Sequence, residues 1–182
     1  PVGPGDRGTD GAWAEADRVV WRLDGEAWEA PIPPGGPFLG DHARINAAAA
    51  VAVARLMGGT PEAIAAGLAG FRGVKDRMEP VAEIAGIRFV NDTTATAPVA
   101  AAAAIRALAG TPTRLLAGGA DKGLDPAPLA DAAAAHGTTV YLFEGTATPR
   151  LADALRARGV EPHGPFGSMA EVFAAATSIS LR

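Results

Sequence analysis

The sequence predicts an α/β protein of the doubly wound, Rossmann-like type with a mostly parallel sheet. Strand-like apolar runs alternate with alanine-rich helical runs after residue 86, helix-capping residues precede the helical runs, and glycines follow several of them. The predicted helices cover residues 97–109, 126–136, 149–158 and 169–177, and the predicted strands cover residues 114–117 and 139–143.

Capping signals mark the starts and ends of these helices. Asp125 and Thr148 each stand directly before a proline, as N-cap residues before a first-turn proline do. Ser168 and Glu171 have the spacing of a capping box. Three glycines fit helix ends, namely Gly110, Gly137 and Gly159.

The first 72 residues have a different pattern and predict the end of a separate domain. Alternating runs at residues 18–23 and 26–30 are typical of antiparallel strands, and a helical pattern follows from His42 to Met57. Thr60 is the predicted N-cap of a second helix. We therefore expect residues 1–72 to form the C-terminal portion of one domain. Residues 73–182 are expected to form a C-terminal Rossmann-like domain.

The C-terminal domain is expected to open with a hairpin and to stop one strand short. The hairpin strands are predicted at residues 81–84 and 87–90, with the second strand entering the parallel sheet. After the helix predicted at 169–177 only five residues remain, whereas an α/β unit normally returns to its sheet. We expect the chain to be part of a longer protein.

Composition and charge exclude several classes of function. The sequence has no cysteine, which excludes disulfides, thiolate metal sites and a cysteine nucleophile. The formal net charge is -4, which does not favour nucleic acid as a partner. No apolar run approaches the roughly 20 residues that span a bilayer, and no signal peptide is recognisable. These features predict a cytoplasmic protein that binds neither nucleic acid nor membrane. A monomer is expected, although no feature of the sequence sets the oligomeric state.

The first candidate site is the strand-to-helix turn at residues 89–98. Ligands of open α/β sheets bind beyond the carboxyl ends of the strands, where helix N-termini attract anions. Asp92 could accept hydrogen bonds from ribose hydroxyls or hold a cation, and threonines such as Thr94 and Thr96 could contact anionic oxygens. The alternative, about equally favoured by the residue types, is that Asp92 and Thr96 only cap the turn and the helix.

The second candidate site is the next strand-to-helix loop, at residues 116–125. Its glycines permit close backbone approach, and Lys122, which follows Asp121, offers a positive charge for a carboxylate. We expect it to lie near the first turn. In isolation, a solvated lysine on a surface loop is the more common arrangement. The loop is not a P-loop, because the Gly-x4-Gly-Lys-Ser/Thr spacing is absent from the sequence.

Two further segments carry polar candidates. At residues 40–46, Asn46 could pair with an adenine edge. Taken alone, this segment favours the alternative that Asp41 caps the helix and Asn46 faces water. At residues 73–79, Arg77 could reach nucleotide phosphates, or could form a surface pair with Glu79. His163 is interpreted as part of a Gly/Pro loop, and the three tryptophans as packing residues.

Taken in order, these four segments resemble those of the Mur ligases. The family pattern Gly-x-His-Asn-x-x-Asn is matched by Gly40, His42 and Asn46, and the pattern His-Arg-x-Glu by Arg77 and Glu79. The member that adds D-glutamate carries Asn-Asp-Ser/Thr-Lys-Ala-Thr, which residues 91–96 match except for the lysine. Its Gly-Gly-x-Asp-Lys-Gly pattern is matched by residues 118–123. The resemblance covers about residues 40–177.

The resemblance implies a function and a set of roles. Residues 1–72 would be the end of the central ATP-binding domain, and the reaction would be ATP- and Mg²⁺-dependent ligation of D-glutamate to UDP-N-acetylmuramoyl-L-alanine in peptidoglycan synthesis. Asn46, Arg77 and Asp92 would bind the nucleotide, and Thr96 and Lys122 the D-glutamate, supported by His42, Thr94 and Asp121. No metal ligand is assigned within the chain. The P-loop and magnesium ligands would lie upstream, so the chain alone is expected to be inactive.

The sequence departs from the family pattern at three positions. Ala43 replaces the Asn that follows the family's His, and Asp76 replaces the His before Arg. Thr94 stands where the family has a lysine, which removes a cation that would offset phosphate charge.

Two alternatives remain. The chain could be a non-catalytic α/β module that binds a nucleotide or a dicarboxylate. It could also belong to a related amide ligase, such as another Mur enzyme or a folylpolyglutamate synthase.

Overall fold

The computed structural model describes residues 2–4, 10–33 and 36–178, the first of these by backbone alone. The expectation about a missing last strand concerns residues 179–182, which lie outside the described residues. The chain divides into two compact units, Pro1–Thr94 and Ala95–Arg182. Residues 73–94 thus group with the first unit, and the domain boundary predicted at 72/73 stays a prediction.

The first unit is built on a four-stranded sheet. Its strands are β1 (Val2–Pro4), β2 (Gly11–Ala14), β3 (Arg18–Leu23) and β4 (Glu26–Pro31) in that spatial order, antiparallel except for the parallel pair β1–β2. A 3₁₀ turn at Gly36–Phe38 leads into helices α1 (Asp41–Leu56) and α2 (Pro61–Gly70). As predicted, Thr60 caps α2 by accepting from Ala63 N at 3.3 Å.

Small and aromatic side chains form the core of this unit. Ala48 and Val51 of α1 pack with Val19 and Trp21 of β3, all nearly inaccessible to solvent. The Arg55 guanidinium lies over the Trp21 ring, 4.6 Å from its centroid. The buried rings of Trp13 and Trp21 confirm that these tryptophans serve packing.

A separate two-stranded hairpin follows, formed by β5 (Glu79–Ile84) and β6 (Ile87–Asn91). Among the described residues β6 pairs only with β5, so its entry into the parallel sheet stays a prediction. Arg88 and Val90 alternate with half-buried residues and stay exposed.

The second unit is the predicted doubly wound α/β fold. Helix α3 (Pro98–Ala107) precedes a three-stranded parallel sheet of β7 (Arg114–Ala117), β8 (Thr139–Phe143) and β9 (His163–Phe166), in that order. Helices α4 (Ala127–His136) and α5 (Thr148–Arg156) connect the strands, and α6 (Met169–Ser178) follows them.

Alternation along β8 places helices on both faces of this sheet. Val140 and Leu142 face α3, α4 and α5, whereas Tyr141 faces Val172 of α6. All four side chains are at most 2% exposed. Each side chain of β8 therefore has a packing partner, as the central strand of a doubly wound sheet requires.

Strand β9 corrects the interpretation of His163 as a loop residue. His163 begins β9, and its ring stacks on Tyr141 with centroids 4.6 Å apart. Gly164 and Pro165 gave the segment a loop-like sequence. An edge strand tolerates both, because only one side of its backbone pairs with a neighbour.

Candidate functional site

The carboxyl edge of the second unit's sheet carries the polar candidates Thr96 and Lys122. Helices α3 and α4 each run back to the amino end of a strand through a short connection, so both begin at the carboxyl edge. Ala102 and Ile105 of α3 pack against α4 in the same core, which keeps the two helices side by side. Thr96, two residues before α3, and the loop at residues 118–125, which leads into α4, therefore share one edge.

The loop at residues 118–125, here called the lysine loop, is packed closely against the segment that follows β8. A Cβ atom at Gly118 would lie 2.6 Å from Phe143 O, and one at Gly145 would lie 2.6 Å from Gly119 N. Gly119 O accepts a hydrogen bond from Ala147 N at 3.0 Å. Gly118 and Gly145 are thus needed for close backbone approach, as the sequence indicated for Gly118. A Cβ atom at Gly119 would have no described atom within 4 Å, and there the φ of 121° favours glycine instead.

Asp121 is the anchor of the lysine loop. Its carboxylate oxygens both accept from Arg150 Nη1 of α5, at 2.9 and 2.8 Å. Gly123 N donates to Asp121 Oδ1 at 2.8 Å, and Asp121 N donates to Thr146 Oγ1 at 2.8 Å. The hydrogen bond from Arg150, and after it the one from Gly123, holds the pKa of the Asp121 carboxyl below its ordinary value. Asp121 in turn raises the pKa of Arg150.

Lys122 and Thr96 are left open by this arrangement. Both are exposed, and within the described ranges neither side chain has a hydrogen bond or ion pair. The N-cap of α3 is Ala97, with no side-chain cap, so the alternative that Thr96 caps the helix is not what the structure has. The lysine loop therefore presents an ammonium group whose charge no described side chain neutralises.

The turn after β6 belongs to the first unit and is closed by internal hydrogen bonds. Asp76 O accepts from Thr94 N at 3.0 Å and from Thr94 Oγ1 at 2.9 Å, while Asp76 Oδ1 accepts from Asn91 Nδ2 at 2.8 Å. Asp76 N in turn donates to Glu79 Oε2 at 2.8 Å. Two of the three residues that depart from the family pattern, Asp76 and Thr94, are thus bonded to each other. The expected proximity of this turn to the lysine loop stays a prediction.

Asp92 holds the segment that contains Arg77. Its Oδ1 accepts from Met78 N at 3.0 Å, where Met78 has the unusual φ of 45°. Within the described residues Asp92 Oδ2 has no hydrogen bond, and the exposed Arg77 guanidinium has no ion pair. The alternative pairing of Arg77 with Glu79 is not formed. Asp92 can therefore stabilise the backbone with one oxygen and offer the other to a ligand.

On helix α1, Asn46 is exposed and His42 is half-buried. The N-cap of α1 is Gly40 at φ 84°, a conformation that favours glycine, and no side chain caps the helix. Asp41 instead lies 3.5 Å from Arg44 Nη1, so the alternative of an Asp41 cap is not what the structure has. Asn46 remains free to face solvent or a ligand.

No group of three or more His, Cys, Asp or Glu side chains that could hold a metal ion occurs in the described part of the chain. The Asp121 carboxylate faces an arginine, which does not suit a cation ligand. In the same part of the chain no helix has both the length and the apolar character to cross a membrane.

The C-terminal part of the chain, which contains these loops, matches a known protein family. The family model described as "Mur ligase, glutamate ligase domain" matches residues 76–182, which include the Asp92 turn and the lysine loop. The chain belongs to the Mur ligase family. This confirms the resemblance that the four sequence segments predicted.

Curated Mur ligases match most of the chain. The UDP-N-acetylmuramoylalanine–D-glutamate ligase of Roseiflexus sp. (strain RS-1) is 44% identical over 172 residues, 93% of this chain and 37% of the relative. The enzyme of the same name from Symbiobacterium thermophilum is 38% identical over 158 residues, 84% and 33% of the two chains. A UDP-N-acetylmuramoyl-L-alanine–L-glutamate ligase of Micromonospora is 39% identical over 127 residues, which are 64% of this chain and 28% of the relative. This Mur ligase chain thus spans about a third of the length of such relatives.

Solved structures of a Mur ligase and of a folylpolyglutamate synthase share the fold. MurF from Acinetobacter baumannii superposes with a TM-score of 0.64 at 22% identity, covering 97% of this chain and 40% of that one. The bifunctional folylpolyglutamate synthase/dihydrofolate synthase from Yersinia pestis CO92 gives 0.65 at 19% identity, with 92% and 39% covered.

Sequence reasoning missed the residues that hold the Mur ligase loops in place. Arg150 and Thr146 fix the lysine loop, and Asp76 fixes the turn after β6. Arg150 lies 29 residues from Asp121, and no local periodicity links them. The available signal was its place in the first turn of a helix that follows a parallel strand, which puts it at the carboxyl edge.

Proposed function

We propose that the full-length protein is an ATP-dependent ligase that adds glutamate to UDP-N-acetylmuramoyl-L-alanine in peptidoglycan synthesis, and that the second unit binds the glutamate. The observation that carries the proposal is the open ammonium of Lys122 on a loop whose backbone is fixed by Asp121. The relatives that match across this loop support it, since several are named D-glutamate ligases.

The amino-acid substrate carries two carboxylates, which need cations and N–H or O–H donors. The Lys122 ammonium can donate to one carboxylate, and the Thr96 hydroxyl, at the same sheet edge, can donate to the other. The close approach of Gly118 and Gly119 to the segment after β8 leaves this part of the loop few alternative positions. Because the loop backbone is already held in place, only the Lys122 side chain has to be ordered when the substrate binds, which lowers the entropy cost of binding.

Nucleotide binding is assigned to the first unit. Asp92 Oδ2 would accept from ribose hydroxyls, Arg77 would donate to phosphate oxygens, and the Asn46 amide would pair with the adenine edge. Each side chain is exposed or half-buried and has the donors or acceptors that its role requires. Magnesium would neutralise phosphate charge, but its ligands are not proposed within the described residues, which contain no suitable cluster.

The chemistry has two steps. A carboxylate oxygen of the muramoyl-alanine attacks the γ-phosphorus of ATP, which forms an acyl phosphate and releases ADP. The glutamate amine then attacks the acyl carbon, and the tetrahedral intermediate expels phosphate and loses a proton to give the amide. Binding both carboxylates of glutamate leaves its amine as the free nucleophile. The contribution of Lys122 and Thr96 is therefore to position the amine.

The relevant experiment measures initial rates of the full-length ligase with D-glutamate. Replacement of Lys122 by Met should raise the KM for glutamate about tenfold to a hundredfold, because one charge-assisted hydrogen bond is lost. Lys75→Met is the matched control, since Lys75 is the other lysine of the sequence and is also exposed. Equal KM values for the two variants would contradict the proposal.

L-Glutamate is the second candidate substrate. The Micromonospora relative, named for L-glutamate, matches 127 residues at 39% identity. The D-glutamate relatives match longer stretches, 172 and 158 residues, which favours the D-enantiomer. Parallel assays with the two enantiomers separate the candidates, and a higher kcat/KM for L-glutamate would replace the first assignment.

A further inference from the structure

We propose that Arg150 is a positioning residue for glutamate, which acts by fixing Asp121 and thereby the neighbouring Lys122. The inference rests on the proposed function, because it assigns a purpose to Arg150 only if Lys122 binds the substrate. Nothing in the family pattern of the lysine loop includes Arg150, which lies on α5.

The hydrogen bonds of Arg150 enclose Lys122 on both sides along the chain. Arg150 Nη1 donates to both oxygens of Asp121, and Nη2 lies 3.4 Å from Leu124 O. Asp121 directly precedes Lys122, and Leu124 follows it by two residues. A single planar guanidinium therefore fixes both ends of the short segment from which the Lys122 side chain extends.

The same contacts keep Asp121 from competing with the substrate. A carboxylate adjacent to a lysine can pair with its ammonium and reduce the charge available to a ligand. Here both oxygens of Asp121 are engaged by Arg150, and Oδ1 also accepts from Gly123 N. Arg150 thus has two effects on Lys122: it fixes the backbone around the lysine and occupies its nearest counter-ion.

The Arg150 pair contributes little to folding, because it lies largely in solvent. The Arg150 side chain is 48% exposed and that of Asp121 is 29% exposed. Exposed ion pairs add little to global stability, since solvent screens them. The unit's core, in contrast, consists of apolar side chains of α3, α4, α5 and β8. Variants of Arg150 should therefore fold, which leaves substrate binding as the informative measurement.

The experiment compares Arg150→Gln, Arg150→Lys and Arg156→Gln in the full-length ligase. Arg156 is the matched control, because it lies on the same helix and also pairs with acidic side chains, Asp153 and Glu161. Arg150→Gln should raise the KM for glutamate about fivefold to tenfold, with kcat and the KM for ATP within about twofold of wild type. Arg150→Lys should recover part of the loss, because a lysine can pair with Asp121 but lacks the second donor group.

A double-mutant cycle tests whether Arg150 acts through Asp121. The KM of the double variant Asp121→Asn, Arg150→Gln should be close to that of either single variant, since both remove the same contact. A KM raised by the product of the two single effects would overturn the inference. So would an Arg150→Gln variant that matches Arg156→Gln while Lys122→Met is impaired. An unimpaired Lys122→Met variant would instead overturn the proposed function itself.

Discussion

The turn after β6 and the lysine loop after β7 both follow a strand and both carry a family motif, yet they use their polar groups differently. At the turn, the Thr94 hydroxyl donates to the Asp76 backbone carbonyl and the Asn91 amide donates to the Asp76 carboxylate, so both side chains hold the turn to residue 76. In the lysine loop, Asp121 is fixed by Arg150, whereas Lys122 has no partner in the described part of the chain.

This difference shows how a motif divides into residues that hold the backbone in place and residues whose polar groups are left open. Asp92 combines both roles, because one oxygen accepts from Met78 N and the other is open. Lys122 has the second role alone. A departure such as Thr94 for lysine is then understandable, since Thr94 supplies a hydrogen bond to Asp76 that a lysine ammonium on a longer chain would not reproduce in the same geometry.

The largest expected effect comes from breaking the packing of the lysine loop. Gly145→Ala would place a Cβ atom 2.6 Å from Gly119 N, which a backbone cannot accommodate without moving. We expect a loss of about 1–3 kcal/mol in the free energy of unfolding, as for overpacked sites. Urea denaturation measures it.

Gly67→Ala is the control for this prediction. Gly67 lies within helix α2, and no atom lies within 4 Å of the position that an alanine methyl group would take there. The change should therefore stabilise the fold by about 0.5–1 kcal/mol. Similar effects of the two substitutions would show that the packing of Gly145 on Gly119 is not what fixes the loop.

A smaller effect is expected in the turn after β6, where Asp92 can be tested for its two roles. Asp92→Ala removes the acceptor for Met78 N and should cost about 1 kcal/mol of unfolding free energy. Asp92→Asn keeps an oxygen for Met78 N but replaces the other oxygen by a donor-only amide nitrogen. It should therefore retain stability while raising the KM for ATP of the full-length ligase. An Asn variant as unstable as the Ala variant would contradict this division of roles.

The smallest effect concerns pH. The hydrogen bond from Arg150 lowers the pKa of Asp121 in the folded state below the unfolded value of about 3.9. A lowered pKa contributes stability above the unfolded pKa, and this contribution is lost as pH falls through the folded value. Gly123 N donates to Asp121 Oδ1, so the Gly123 amide resonance reports whether Asp121 is ionised. That resonance should stay constant between about pH 8 and about pH 5, because Asp121 remains ionised over this range. A transition of that resonance within this range that is absent from Asp121→Asn would contradict the pairing.

The fold of the second unit could be predicted from the sequence because its signals are local. The apolar run of β8 and the glycine after α4 indicate a buried strand and a helix end without distant information. Tertiary context decides two further points: β6 pairs only with β5 among the described residues, and His163, interpreted as a loop residue, lies in an edge strand. Neither result follows from the composition of the segments themselves.

The candidate site could be predicted in part. Motif spacing identified Thr96, Asp121 and Lys122, and chain topology explains why Thr96 and Lys122 share a sheet edge. The supports of these residues could not be found in this way. The pairs Asp121–Arg150 and Asn91–Asp76 join positions 29 and 15 residues apart, and single-sequence patterns carry no information about such contacts.

The most direct test of glutamate binding titrates the isotopically labelled chain with D-glutamate and follows backbone amide resonances by NMR. We expect saturable shifts in residues 118–123 and at Thr96, and their loss in Lys122→Met with the rest of the spectrum unchanged. Saturable shifts that are the same in Lys122→Met, or that leave residues 118–123 unaffected, would contradict the claim that the open lysine of the fixed loop binds the amino acid.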